Sequence, residues 1–172
     1  MNRPTYKQIK VDLLEKVSKH IRDGELGHKV FDFTVVNGPP QLSVLQPSGC
    51  GSHGCAMGEL PIIFPERWRF SDTAGVALHP EERATLRDDE QDLIGQVAYF
   101  FGLWRDEVGA LFFPYFAGVA DTFARDLIVP VSDTQSPSRP TVWHCQKLPG
   151  SATRTQVADN LDLFIAYHKA NP

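Results

Sequence analysis

The chain has 172 residues, of which 42% are hydrophobic and 22% are charged, so it can bury one core and is too apolar to be disordered overall. Its formal net charge is −4, and acidic residues alternate with the basic residues near the N-terminus, which argues against nucleic acid as a partner. The sequence has neither a signal-peptide core nor the roughly 18 apolar residues of a membrane span, so we expect a cytoplasmic protein that does not bind membranes. Three cysteines are too few for a disulfide framework.

The first predicted element is a helix over residues 6–22, in which apolar residues recur every four positions. Thr5 is its expected N-cap, and Gly24 is expected to end it. A strand is predicted over residues 30–36, because β-branched and aromatic residues dominate there. It ends at NGPP, and QLSVLQ at 41–46 could pair with it as a small hairpin or form an irregular arm.

A two-turn helix is predicted over residues 53–60, with Ser52 as its N-cap and Pro61 closing it. The next segment, PIIFPERWRF, is expected to be extended and then to make a short helical turn. HPEERATLRDDEQ begins with the acidic residues that favour a helix N-terminus.

Three further helices are predicted in the second half. One covers residues 89–101 and stops at Gly102, a short one lies in WRDEVGALFFP, and the last covers residues 154–169. Thr153 and Gln156 form a capping-box pattern before the last helix. AGVADTFARDLIV is a weaker helical candidate, and a Pro- and Ser-rich loop occupies about 130–152.

Together these elements predict one compact globular domain over residues 1–172. Its fold class is mainly α (α+β), with a small β hairpin or an irregular β element.

The segment SGCGSHGCAMGELP concentrates the residues that could carry chemistry. Cys55 would lie in the first turn of the predicted helix, where unpaired N–H groups and the helix dipole lower the pKa of a thiol. A nucleophilic thiol also needs a base, for which His144 is preferred over His53 and His79. The sequence thus permits a cysteine-dependent hydrolase or transferase.

Two other interpretations of the segment stay open. A structural zinc site could use Cys50, His53, Cys55 and either His144 or Cys145, although the ligand spacing is incomplete. Alternatively, Cys55 is a small buried hydrophobic residue in a glycine-rich turn, which is the interpretation we favour, and it requires no cofactor.

Aromatic residues are unusually frequent between Tyr99 and Phe116, where 8 of the chain's 18 lie. Helical spacing assigns most of them to the core. Those that cannot share one inward face could form an exposed patch for self-association or for a protein partner.

Four segments in chain order carry a resemblance: LLEKVSKHI, CGSHGCAMGEL, FGLWRDEVGALFFP and TRTQVADNLDLFI. They resemble the LLxKVxxHI, CGTxxCIAGWA and LGLxxxExxxLFxP motifs, and the final Thr-capped helix, of an uncharacterised family of small bacterial and phage proteins. The chain departs from that pattern at Glu59-Leu60, where the family has Trp-Ala. The resemblance does not cover the insertions near 62–88 and 117–150. The resemblance implies a mostly helical fold and a bacterial or phage source, but no activity. It carries over only Cys50, Gly51, Ser52 and Cys55 as motif positions.

The sequence therefore favours a small binding or accessory protein, and the resemblance is compatible with a phage-encoded protein directed at a host protein. The alternatives are the cysteine-dependent enzyme and the structural zinc domain.

Overall fold

The computed structural model describes residues 8–27, 30–31, 53–71, 75–112, 148 and 152–170. Helices dominate this part of the chain, as predicted, and the strands are short. In chain order the elements are α1 (Val11–Asp23), β1 (Val30–Phe31), β2 (His53–Gly54), α2 (Leu60–Ile63), β3 (Trp68–Ser71), β4 (Gly75–Leu78), α3 (Pro80–Arg83), a 3-10 turn (Asp88–Glu90), α4 (Leu93–Phe101), α5 (Arg105–Phe112) and α6 (Arg154–Ala170).

Helix α1 begins later than predicted, at Val11, and the expected cap Thr5 lies outside the described residues. Lys10 precedes the helix, and its backbone N–H donates to the carbonyl of Phe101 at 2.9 Å. Gly24 ends the helix, as predicted. Of the predicted apolar residues, Leu14, Val17 and Ile21 are fully enclosed, whereas Ile9 and Leu13 are only partly buried.

Helices α1 and α6 pack side by side and run antiparallel. Near the start of α1, Glu15 pairs with Lys169 at the end of α6, whereas Arg22 near the end of α1 lies 2.7 Å from Asp159 and 2.6 Å from Asp162. Between them the Ser18 hydroxyl donates to Asp162 at 2.5 Å. This pair of helices brings together residues that are about 140 positions apart in sequence.

Arg154 closes the C-terminal end of α1. Its Nε donates to the carbonyl of Ile21 at 2.6 Å, and its Nη2 donates to the carbonyl of Gly24 at 2.9 Å. The last carbonyls of a helix have no partner within the helix, so the guanidinium supplies the donors they lack.

We expect Arg154→Ala to lower the free energy of unfolding by about 2 kcal/mol, because two or three charge-assisted hydrogen bonds are lost. Arg154→Lys should recover only part of this, since an ammonium cannot reproduce the planar fork. Urea unfolding monitored by circular dichroism measures both. Thr155→Ala, an exposed change in the same helix, is the control, and an equal effect of Thr155→Ala and Arg154→Ala would contradict the assignment.

A β hairpin of the kind that the fold class predicts is formed by β3 and β4. These strands pair antiparallel, with Trp68 opposite Leu78 and Ser71 opposite Gly75. PIIFPERWRF was predicted to be extended first and then helical, which was wrong in its order, because the helical residues 61–63 come first and the strand begins at Trp68. Strand β1 pairs in parallel with β2, and QLSVLQ lies outside the described residues.

The predicted helix over 89–101 is divided in two. A 3-10 turn precedes α4, which begins at Leu93 because Asp92 is its N-cap and accepts from the Gly95 N–H at 2.7 Å. Gly102 ends α4 as predicted, with a φ of 70° in the left-handed region.

The two remaining helices agree with their predictions. In α5, Val108, Leu111 and Phe112 point into the core. Thr153 and Gln156 form the predicted capping box, in which the Thr153 N–H donates to Gln156 Oε1 at 2.8 Å and the Gln156 N–H donates to Thr153 Oγ1 at 3.3 Å. The buried face of α6 is the predicted one: Val157, Ala158, Leu161, Phe164 and Ile165. AGVADTFARDLIV and most of the loop at 130–152 lie outside the described residues.

Aromatic rings form the centre of the core. Phe100 meets Phe64, Trp68 and Phe101 edge to face, with ring centroids 5.1, 5.5 and 4.8 Å apart. Phe101 also stacks on Phe112 at 5.7 Å. Helical spacing had assigned most of the aromatic segment to the core, and this holds for its described phenylalanines. Phe113, Tyr115 and Phe116 lie outside the described residues.

Candidate functional site

The cysteine motif does not form the helix that its sequence suggested. His53 and Gly54 belong to β2, residues 56–59 form a turn, and the helix that follows is α2. Pro61 lies in the first turn of α2, so it begins this helix instead of ending one. Proline suits that position, because the first N–H groups of a helix have no partner within it. The prediction of a helix over 53–60 was wrong, because the helix begins only at Leu60, next to Pro61.

The thiol of Cys55 lies inside the core, with 1% of the residue exposed. Burial raises its pKa from 9.0 to about 11, although nearby backbone N–H groups act in the opposite direction. The negative charge of Glu59 adds to the increase. At neutral pH the thiol is therefore protonated, the reverse of the state that a nucleophilic cysteine needs.

We expect this buried thiol to make the protein less stable as the pH rises from about 9 to about 11. In that range the unfolded chain loses the proton and the folded chain keeps it, so the free energy of unfolding falls, by about 2 to 3 kcal/mol at the upper end. Denaturant unfolding at a series of pH values, compared with Cys55→Ala, isolates this contribution. Parallel pH dependences in the two proteins would contradict it.

A buried carboxylate, that of Glu59, lies in the turn that follows Cys55, and its exposed fraction is 0%. Its Oε2 lies 2.9 Å from Nε2 of His20 in α1 and accepts the backbone N–H of Gly27 at 2.8 Å. This carboxylate thereby joins the cysteine motif to the end of α1. Sequence reasoning recorded Glu59 only as a departure from the family pattern, and it did not single out His20.

The arrangement fixes which imidazole nitrogen is engaged. Because Nε2 of His20 meets Glu59, Nδ1 is the remaining nitrogen, and it lies beside Gly24, where a Cβ would come within 2.8 Å of it. A buried carboxylate orients an imidazole in this way in many catalytic and metal sites. Within the described ranges, however, no group of three His, Cys, Asp or Glu side chains is arranged to hold a metal ion.

Most of the other predicted site residues lie outside the part of the chain that the structure describes. These are Cys50, Gly51, Ser52, His144 and Cys145, and only the backbone of His53 is described. His79 is described, and its Nε2 lies 3.1 Å from the carbonyl oxygen of Pro65. The described imidazole that contacts the motif is His20.

Comparisons with known proteins add no relative. No family model, curated protein or solved structure matches this chain. The helices that the structure describes include none with the length and apolar character needed to cross a bilayer.

Proposed function

We propose that this protein works by binding another protein, as a small accessory factor of bacterial or phage origin. The observation that carries the proposal is the environment of Cys55, whose thiol is buried and protonated at neutral pH. This environment favours packing over nucleophilic catalysis as the role of the cysteine motif.

The described residues of the other motifs also have structural roles. Glu107, the glutamate of FGLWRDEVGALFFP, accepts the Trp104 backbone N–H at 2.6 Å and so caps α5. Gly102 makes the left-handed turn between α4 and α5, and Thr153 caps α6. These roles support a chain whose motifs specify its fold and whose function depends on its surface.

In the described part of the chain, the proposed aromatic patch is limited to Tyr99 and Trp104, which are only partly buried. Phe100, Phe101 and Phe112 are in the core. We assign the partner surface to the face that includes Tyr99. The partner is either a second copy of the chain or a host protein.

The test has two arms. In the first, native protein is alkylated with iodoacetamide at neutral pH, and Cys55 is followed by peptide mass spectrometry; we expect modification far slower than in denaturant. In the second, tagged protein is incubated with a lysate of the organism that carries the gene, and captured complexes are reconstituted from purified components. Complex formation should survive Cys55→Ala and weaken in Tyr99→Ser. Rapid alkylation of native Cys55, or a protein that stays monomeric and captures nothing, would overturn the proposal.

A further inference from the structure

Two cationic side chains converge on the aromatic residues at the end of α4. The Lys10 ammonium lies 5.7 Å from the ring centroid of Tyr99 and 5.8 Å from that of Phe100. The guanidinium carbon of Arg67 lies 5.1 Å from the same Phe100 ring. All three distances are within the range of cation–π attraction. Lys10 and Arg67 come from different elements, so the fold itself places the two charges together.

Hydrogen-bond donors outnumber acceptors in this cluster. Arg67 donates through Nε and Nη2 to the two carboxylate oxygens of Glu82, which leaves its Nη1 for another acceptor. The Lys10 ammonium makes no hydrogen bond or ion pair with the residues that the structure describes. The Tyr99 hydroxyl adds a further donor.

The surroundings of Lys10 disfavour the positive charge of its ammonium group. Burial lowers the pKa of its ammonium, and the positive charge of Arg67 lowers it further, while Glu82 and Asp12 act more weakly in the opposite direction. Lys10 and Arg67 both contact the Phe100 ring, and Glu82 pairs with Arg67, so the three groups lie close together. An additional negative charge in this cluster would relieve the repulsion between the two cations.

We propose that Lys10, Arg67 and Tyr99 form a binding site for an oxyanion, the carboxylate or phosphate group of a partner. An oxyanion offers several acceptor oxygens and no donors, which matches the donors left over in the cluster. Because Glu82 occupies the Nε–Nη2 edge of the Arg67 guanidinium, the bound oxyanion is met by Nη1 of Arg67 together with the Lys10 ammonium. The inference rests on the proposed function only for the identity of the molecule that carries the anion.

The experiment uses inorganic phosphate as the probe, with thermal unfolding as the readout, at constant pH and at an ionic strength balanced with sodium chloride. Phosphate stabilises folded proteins in general, so the decisive quantity is the difference between the wild type and Lys10→Met. At about ten times its Kd, phosphate should raise the Tm of the wild type by about 3 to 6 °C more than that of Lys10→Met. Lys16→Met, which removes an exposed lysine of α1, the helix that Lys10 precedes, should respond like the wild type.

A second variant keeps the inference testable if Lys10→Met folds poorly. Glu82→Gln removes the competing carboxylate, so phosphate should bind several-fold more tightly to this variant than to the wild type. A parallel titration with acetate shows whether a monocarboxylate suffices. Equal phosphate responses of the wild type, Lys10→Met and Glu82→Gln would overturn the site.

The outcome is separable from that of the proposed function. Phosphate binding through Lys10 in a protein that captures no protein partner would retain the anion site and overturn the protein-binding role. A captured protein partner without a phosphate response would retain the protein-binding role and overturn the anion site.

Discussion

Gly102→Ala is expected to lower the free energy of unfolding by about 3 to 5 kcal/mol. Gly102 adopts a φ of 70°, which alanine tolerates poorly, and a Cβ there would lie 2.0 Å from the carbonyl oxygen of Gln8. Since the obstructing atom belongs to the backbone, the segment that leads into α1 has to move. Urea unfolding gives the change directly.

The matched control for this substitution is Gly109→Ala. Gly109 lies in α5, and a Cβ there would meet nothing within 4 Å. Alanine favours a helix interior over glycine, so this change should stabilise the protein by roughly 0.5 to 1 kcal/mol. Similar stabilities of the two alanine variants would contradict the close contact between Gly102 and the backbone of Gln8.

The second large effect is expected at Glu59. Glu59→Ala removes the acceptor for His20 and for the Gly27 N–H and leaves a cavity in a fully buried position, so we expect a loss of about 3 to 4 kcal/mol. Glu59→Gln keeps the size and one amide oxygen as an acceptor, and it should cost about half as much. Denaturant unfolding of both variants separates the loss of charge from the loss of shape.

A double-mutant cycle with His20→Gln tests whether the pair is energetically coupled. The cycle compares Glu59→Ala, His20→Gln and the double variant, and we expect a coupling free energy of about 1 kcal/mol or more. Strictly additive effects would mean that the 2.9 Å contact contributes nothing to stability.

The long helices could be predicted because their signals are local. In α1 and α6 the apolar residues recur with the helical period, and Gly24 and the Thr153–Gln156 capping box mark the ends. The end of α4 at Gly102 could be predicted as well, because glycine readily adopts the left-handed conformation that ends a helix. Such features require no knowledge of what the helix packs against.

The short elements could not be predicted in the same way. The hairpin of β3 and β4 has strands of four residues each, which is too short for alternation to stand out from an irregular segment. Pro61 is compatible with the end of a helix and equally with a helix start, and only the surrounding packing decides between the two.

The candidate site was even harder to predict from local sequence than the short elements. Cys55 was evident from composition, but its exposure, which decides its reactivity, depends on side chains from distant elements. The partner of Glu59 is His20, 39 positions away. The one local sign was a charged residue between Met57 and Leu60 in an otherwise apolar stretch, where burial of a carboxylate requires a partner.

The contact of α1 with α6 also has a consequence for synthesis. α6 is the last described element to leave the ribosome, so the apolar stripe of α1 lacks its final cover until nearly all of the described chain has been translated. Contacts over such long sequence separations slow folding and prolong the exposure of apolar surface. A nascent chain stalled before α6 should therefore recruit chaperones through α1, and release of the last helix should end that dependence.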